Sequence, residues 1–195
     1  MIDLPLAMVA LILVAPLMLV LAMLVRLGSP GPVLFRQRRL GRGGRSFACL
    51  KFRSMRVDAE DVLRRDPAAR ARYVANGYKL PADEDPRITA IGRFLRSTSL
   101  DELPQLFNVV RGEMSLVGPR PIVPAELVEY GDSAAEFLAA IPGITGRWQV
   151  SGRSNLFYPE RAAVELEYIT RWSLREDMRI LLRTLPVVLR RAGAH

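Results

Sequence analysis

An uncharged apolar run near the N-terminus constrains the fold more than any other feature of this 195-residue chain. It covers 22 residues, from Leu4 to Val25, and is rich in Leu, Val, Ala and Met. As a helix it would measure about 33 Å, which is enough to cross a bilayer. A cleaved secretory signal fits poorly, because the run has no basic segment before it, no small-x-small site after it, and more than the usual 7 to 15 or so apolar residues. The sequence therefore predicts a membrane helix.

Pro16 lies in the middle of this run. A proline inside a helix removes one backbone hydrogen bond and clashes with the preceding turn, so a kink is expected there. Two geometries stay open: a kinked span, or a re-entrant helix that bends at Pro16 and returns to the side it came from. The basic residues that begin at Arg26 should remain cytoplasmic in either case.

The charge of the chain points to anionic partners. The net charge is +8, which favours nucleic acid, an acidic membrane surface or phosphorylated substrates. Nine basic residues and no acidic residue lie between Arg26 and Val57. They are Arg26, Arg36, Arg38, Arg39, Arg42, Arg45, Lys51, Arg53 and Arg56. One cysteine, Cys49, and one histidine, His195 at the last position, argue against a disulfide framework, a cysteine zinc site and histidine catalysis.

The rest of the chain suggests one mixed domain of helices and strands. A small β-hairpin is expected around the turn Gly41 to Gly44, with its second strand over Phe47 to Phe52, and a solvated helix over Asp58 to Tyr73. We therefore expect an α+β, membrane-associated fold, with a membrane helix over residues 1–28 and a mainly helical cytoplasmic domain over 29–195.

The C-terminal segment has apolar residues at helical spacing with arginines among them. The apolar set is Met178, Leu181, Leu182, Leu185, Val188 and Leu189, and the basic set is Arg179, Arg183, Arg190 and Arg191. An interfacial amphipathic helix and a core-facing helix both fit this pattern. Pro186 should interrupt the helix in either case.

The stretch SLDELPQL, Ser99 to Leu106, contains two adjacent carboxylates. Ser99 and Glu102 have the spacing of a helix N-terminal capping box, which would give them a purely structural role. That reading does not require Asp101, and it places Pro104 inside the second turn of the same helix. A structural and a functional interpretation remain equally open for this stretch.

The functional interpretation follows from electrostatics. A carboxylate at a helix N-terminus near arginines should have a lowered pKa, which suits metal binding or nucleophilic attack better than proton donation. Mg²⁺ is the metal that such oxygen ligands favour, together with substrate phosphates. A carboxylate can also carry a phosphoryl group covalently.

Candidate phosphate-binding residues surround this pair in the sequence. Arg96 precedes Asp101 by five residues, and Arg120 stands between Pro119 and Pro121, where the restricted backbone could direct its guanidinium. Farther on, Gly152 would permit close approach of a ligand to the backbone, and Arg153 offers another cation.

Taken together, the motifs resemble those of the bacterial sugar transferases, the monotopic phosphoglycosyl transferases. They are SPGPVLFRQRRLG, LKFRSM, DPRITAIGRFLRSTSLDELPQLFNVVRGEMSLVGPRP and PGITGRWQVSGRSN, in this order after an apolar helix. The resemblance covers almost the whole chain. It is nearest to the branch that transfers hexose-1-phosphate to start exopolysaccharide or O-antigen repeats.

This resemblance implies transfer of a sugar-1-phosphate from a UDP-sugar to undecaprenyl phosphate, with Mg²⁺, at the cytoplasmic face of the bacterial inner membrane. Galactose and glucose are the leading sugars. Asp101 would attack the donor's β-phosphate and bind the metal, and Glu102 would assist. Lys51, Arg96 and Arg120 would bind phosphates, and Pro119 and Pro121 would belong to the same substrate-binding set. Gln149, Gly152 and Arg153 would bind the nucleotide side, and the helix would be re-entrant at a break near Pro16.

The chain also departs from the family's pattern. It begins MIDL where relatives usually carry Arg or Lys, and it has Glu165 and Glu167 where relatives commonly have Asp and Tyr. An alternative based on composition is a membrane-tethered basic module that binds nucleic acid or anionic lipid without catalysis. That alternative leaves Asp101, Glu102 and Arg120 without a role. The transferase reading expects an anionic phospholipid surface as a partner and no nucleic acid; oligomeric state stays open.

Overall fold

The computed structural model describes residues 3–75, 80–151 and 157–189. Over these residues the chain forms α-helices, four short strands and three 3-10 helices. The α-helices are α1 Asp3–Gly28, α2 Ala59–Arg65, α3 Pro67–Ala75, α4 Ala90–Thr98, α5 Gln105–Val110, α6 Ala134–Ala139, α7 Arg147–Ser151, α8 Glu160–Thr170 and α9 Leu174–Leu189. The strands are β1 Leu34–Leu40, β2 Ser46–Phe52, β3 Ser115–Val117 and β4 Gly143–Thr145. The 3-10 helices are Arg42–Gly44, Leu100–Glu102 and Pro124–Ser133.

The apolar run forms α1, one helix that continues through Pro16. It is long and apolar enough to cross a membrane. One face is buried, and it packs mainly on α5, α4 and β3. Most other large apolar side chains of α1 are exposed, among them Ile12, Leu13 and Leu19. The bend and return at Pro16 therefore stay a prediction, while the helix itself is confirmed.

The predicted β-hairpin is present. β1 and β2 pair antiparallel, with Leu34 opposite Phe52 and Leu40 opposite Ser46. Gly43 and Gly44 make the turn with φ values of 67° and 74°, a left-handed conformation that glycine adopts at little cost. The small sheet thus has the position that the sequence indicates, and the structure adds its register.

Two core clusters join α1 to the rest of the chain. In one, Ala7 packs with Cys49 and Leu106, and in the other Val25 packs with Phe52. A second sheet, of β3 paired parallel with β4, lies beside the first cluster, where Met114 and the partly buried Leu116 and Ile144 meet. The hairpin and the helices that follow it are therefore packed on the same helix.

Two expectations about helices are wrong. The segment Asp58 to Tyr73 forms two helices, α2 and α3, because the residue before Pro67 disfavours helical backbone and Asp66 is extended. Pro186 does not interrupt α9, which continues to Leu189.

The exposure of α9 combines both interpretations of the C-terminal segment. Ile180 is buried, whereas Met178 and Leu182 are exposed and Leu181 is partly buried. The helix therefore has a core face and an exposed apolar stripe. The side chains of Leu185, Val188 and Leu189, and all of Arg190 and Arg191, lie outside the described residues.

The close packing of α4 on the segment after β2 yields a stability prediction. A Cβ on Gly92 would lie 1.9 Å from the carbonyl oxygen of Ser54, so Gly92→Ala must displace the backbone. We expect a loss of about 2 kcal/mol in the free energy of unfolding, measured by denaturation in detergent. Arg93→Ala, at an exposed position of the same helix, should change stability far less. Equal stability of the two variants would contradict the packing.

Candidate active site

The two carboxylates lie in the 3-10 turn Leu100–Glu102, directly after α4. Ser99 ends α4 in a left-handed conformation with φ of 57°, and within the described chain its side chain makes no capping hydrogen bond. The predicted capping box of Ser99 and Glu102 is therefore wrong. Pro104 precedes α5, which begins at Gln105, so the proline separates two short elements and does not interrupt a longer one.

Lys51 of β2 reaches both carboxylates. Its Nζ donates to Oε1 of Glu102 at 2.6 Å and lies 4.0 Å from Oδ2 of Asp101. Asp101 is only 8% exposed, and the Lys51 and Glu102 side chains are mostly buried as well. Ion pairs in such partly desolvated surroundings are stronger than at the surface. The structure thus brings together three of the residues that the sequence nominates.

Arg120, in the segment that follows β3, lies close to Glu102. Its Nη1 lies 3.9 Å from Oε1 of Glu102. The backbone around it is fixed on both sides: the carbonyl of Pro119 accepts from Gly143 N at 2.9 Å, and the carbonyl of Pro121 accepts from Arg39 Nη1 at 3.1 Å. The two prolines therefore position Arg120 through their carbonyl groups.

Arg96 contributes to the electrostatics of Asp101 from α4. Its Nε donates to Ser54 Oγ at 2.8 Å, which fixes the direction of the side chain. Burial lowers the pKa of Arg96, and the charge of Asp101 opposes that effect. Because an arginine remains protonated even after such a shift, Arg96 is a permanent cation near the pair.

The pKa of Asp101 moves in the direction opposite to the one predicted. Burial raises it, the charge of Lys51 opposes burial, and the charge of Glu102 adds to it. The charges of Arg96 and Arg120 also lower this pKa, with smaller effects. The expectation of a lowered pKa is wrong because it counted the arginines and a helix N-terminus but not desolvation, which the sequence did not reveal.

A small pocket opens beside the pair. The residues that line it are Arg39, Cys49, Lys51, Glu102, Gln105, Arg120, Pro121 and Ile144. Gln149 does not line it; it is buried near β4, where its Nε2 donates to the carbonyl of Ile144 at 3.4 Å. The predicted site residues Gly152 and Arg153 lie outside the described residues.

Several residues of the site were not singled out from the sequence. Arg39 was one member of a long basic block, and Ser54 had no distinguishing neighbour. Arg120 lies over the ring of Trp148, and Arg161 contacts the same ring. Glu165, noted only as a departure from the family's pattern, accepts a hydrogen bond from Arg120 N at 3.0 Å. Of these residues, only Trp148 had a signal in the sequence, because it is adjacent to Gln149 in a nominated motif.

The donor atoms fit Mg²⁺ only when a substrate adds oxygen ligands. Within the described residues, no group of three or more His, Cys, Asp or Glu side chains is placed to hold a metal. Asp101 offers a carboxylate, while Glu102 is engaged by Lys51. Since Mg²⁺ commonly binds one or two carboxylates together with substrate phosphates, Asp101 can be a ligand in such a shared site.

The contact of Lys51 with Glu102 can be tested by a double-mutant cycle. Lys51→Met leaves a largely buried carboxylate without its closest cation, so we expect a loss of about 1 to 3 kcal/mol in the free energy of unfolding. Adding Glu102→Gln should recover part of that loss, with a coupling of about 1 kcal/mol. Arg36→Met, at an exposed position of β1, is the matched control. Additive effects of the two substitutions would contradict the ion pair.

The whole chain was compared with known protein families and with individual proteins. The family model described as bacterial sugar transferase matches residues 1–191. The UDP-galactose-lipid carrier transferase of Erwinia amylovora is 49% identical over 197 residues, which cover 99% of this chain and 40% of that protein. The chain therefore spans about two fifths of the length of that relative.

Two other relatives match over more of their own length. The exopolysaccharide production protein ExoY of Rhizobium meliloti (strain 1021) is 44% identical over 197 residues, covering 99% of this chain and 86% of that protein. The UDP-glucose:undecaprenyl-phosphate glucose-1-phosphate transferase of Caulobacter vibrioides is 43% identical over 193 residues, covering 94% and 66%.

Proposed function

Because the chain belongs to the bacterial sugar transferase family, we propose that it transfers a hexose-1-phosphate from UDP-galactose or UDP-glucose to undecaprenyl phosphate. UMP is released, and the product is a polyprenyl-diphosphate-linked sugar that starts an exopolysaccharide or O-antigen repeat. The observation that carries this proposal is that Lys51, Glu102 and Arg120 line one pocket, with the Asp101 carboxylate 4.0 Å from Lys51 Nζ beside them. The names of the relatives supply the nucleotide sugars and the lipid acceptor.

In the first step, a carboxylate oxygen of Asp101 attacks the β-phosphorus of the donor. The bond from that phosphorus to the oxygen shared with the α-phosphate breaks, and its electrons leave with UMP. The phosphosugar then remains on Asp101 as an acyl phosphate. Lys51 and Arg120, which surround the dyad, offset the charge of the donor's diphosphate.

In the second step, an oxygen of undecaprenyl phosphate attacks the same phosphorus and Asp101 leaves as a carboxylate. Glu102 faces the pocket and can hold the acceptor's proton or orient the attacking oxygen. A Mg²⁺ ion held by Asp101 and substrate phosphates would supply positive charge to the oxygens of the transferred group. The alternative, a basic module without catalysis, gives Asp101, Glu102 and Arg120 no role. Membership of the bacterial sugar transferase family also favours the transferase.

The surroundings of α1 support a membrane location with the catalytic residues on one side. At its first turn, Asp3 accepts hydrogen bonds from Ser115 Oγ at 2.9 Å and Leu116 N at 3.4 Å. At its far end, Val25 is buried with Phe52. A helix with both ends on the same folded body does not cross a bilayer away from it. We therefore propose that α1 inserts its exposed apolar face into one leaflet, on the cytoplasmic side of the inner membrane.

The assignment of Asp101 is tested by UMP release. We expect Asp101→Asn to lose at least about a thousandfold in turnover of UDP-galactose or UDP-glucose with undecaprenyl phosphate and Mg²⁺. Glu102→Gln should lose about a hundredfold. Asp132→Asn, an exposed acidic position, is the matched control.

The order of the two steps is tested without acceptor. Wild-type protein should release one equivalent of UMP and carry a phosphosugar on Asp101, detected by mass spectrometry of the peptide. Near-normal turnover by Asp101→Asn, or a strict need for both substrates before any UMP appears, would oppose the covalent mechanism.

The proposed orientation of α1 is tested by cysteine labelling. Cys49 is buried, so Leu4→Cys in the first turn of α1 and Pro30→Cys just after its last turn introduce thiols at the two ends of the helix against a low background. We expect an impermeant maleimide to label both in inside-out membrane vesicles, as it does Val57→Cys, an exposed control in the folded body. Labelling of Leu4→Cys only from the opposite side would show a spanning helix.

A further inference from the structure

The guanidinium of Arg120 is directed without using its hydrogen-bond donors. Within the described residues its side chain makes no hydrogen bond, and its Nη1 contact with Glu102 is 3.9 Å long. The side chain is nevertheless 28% exposed beside the pocket, where an unrestrained arginine would have many rotamers. Within the described residues, any restraint on its direction must therefore come from contacts other than hydrogen bonds.

The backbone N–H of Arg120 is bound by the carboxylate of Glu165. The carboxylate of Glu165 is 1% exposed, and its Oε1 accepts from Arg120 N at 3.0 Å. Its Oε2 accepts from Tyr130 Oη and lies 3.7 Å from Nε of Arg161. These contacts fix Glu165, and Glu165 in turn fixes the start of the Arg120 side chain.

The head of Arg120 lies over the ring of Trp148, with its Cζ 5.5 Å from the ring centroid. At that distance the ring attracts the cation but leaves all its N–H groups available to a ligand. A ring contact is therefore suited to orient a phosphate-binding arginine, because it restricts direction without occupying donors.

Arg161 supports Trp148 from the same helix that carries Glu165. Its Cζ lies 4.5 Å from the Trp148 centroid and 4.8 Å from that of Tyr158. Its Nε and Nη2 are buried without a hydrogen-bond partner within the described chain. Burying such donors is costly, so the aromatic contacts and the nearby Glu165 carboxylate are what stabilise this cation. Displacing Trp148 would remove much of that stabilisation.

We propose that Trp148 is a positioning residue that holds the Arg120 guanidinium toward a diphosphate, with Arg161 and Glu165 as its supports. The inference rests on the proposed function for the identity of the ligand, a nucleoside diphosphate group. It adds a task for an aromatic side chain that does not itself line the pocket.

The test is a double-mutant cycle on ligand affinity. UDP binding is measured by calorimetry for wild type, Trp148→Leu, Arg120→Met and the double variant. If Trp148 acts through Arg120, Trp148→Leu should weaken UDP binding about five- to tenfold in the wild-type background and about twofold or less in the Arg120→Met background. Trp148→Phe keeps a ring face and should retain affinity within about threefold. Trp172→Leu, at an exposed tryptophan, is the matched control.

Melting curves of each variant separate lost binding from lost folding. An equal loss from Trp148→Leu in both backgrounds, or equal losses for Trp148→Leu and Trp148→Phe, would overturn the proposal, since packing alone would then explain them. Absence of UDP binding by the wild type would also overturn it. The proposed function is judged separately: UDP binding that follows the expected pattern without any UMP release from UDP-sugars would reject the transferase reaction and keep the role of Trp148.

Discussion

The contact of Lys51 with the carboxylates joins the two halves of the site. Lys51 comes from β2, whereas Asp101 and Glu102 come from the turn after α4, and the Nζ of Lys51 lies 2.6 Å from Glu102. Two adjacent carboxylates with little solvent access repel each other and lose hydration unless a cation compensates them. The hairpin register therefore matters to the pair: a slip of one residue would turn Lys51 to the other face and present an apolar neighbour in its place.

Helix α1 connects this pair to the apolar surface of the protein. Its buried face packs with Phe52 at the end of β2 and with Leu106 of α5, the elements on either side of the dyad. Its opposite face exposes a nearly continuous apolar surface. The same helix thus completes the core beside Asp101 and Glu102 and supplies the surface proposed to enter a leaflet. Under that proposal, the lipid acceptor reaches Asp101 from the membrane, and the water-soluble donor reaches it from the aqueous side.

The sequence predicted well the features that depend on local pattern. The apolar helix and the hairpin with its glycine turn follow from periodicity and turn chemistry. Motifs and the family resemblance nominated Lys51, Asp101 and Arg120, which the structure brings close together while their roles stay proposals. The capping box failed because Pro104 and the left-handed Ser99 divide the segment into separate elements. That division depends on how α4 packs, which spacing alone does not encode.

Features that depend on contacts between distant segments escaped prediction. The burial that raises the pKa of Asp101 requires α1, β2 and α5 to be assembled first. Glu165 is 45 residues from Arg120 in the chain, and their hydrogen bond has no local signature. Arg161 is similar, because a buried arginine stacked on rings cannot be distinguished in sequence from a solvated arginine on a helix. Sequence reasoning nominated Asp101, Glu102 and Arg120 and missed Glu165 and Arg161, whose contacts join distant segments.

The opposing effects on Asp101 suit the task proposed for it. Burial raises its pKa, which makes the carboxylate a stronger nucleophile once ionised, but burial also disfavours ionisation. The positive charges of Lys51, Arg96 and Arg120 lower the pKa of Asp101 and so favour its ionisation. A diphosphate entering the pocket brings negative charge that would raise the pKa further, so the cations must serve both the carboxylate and the donor. Three cations around two carboxylates with little solvent access leave an excess of positive charge, which is what that double demand requires.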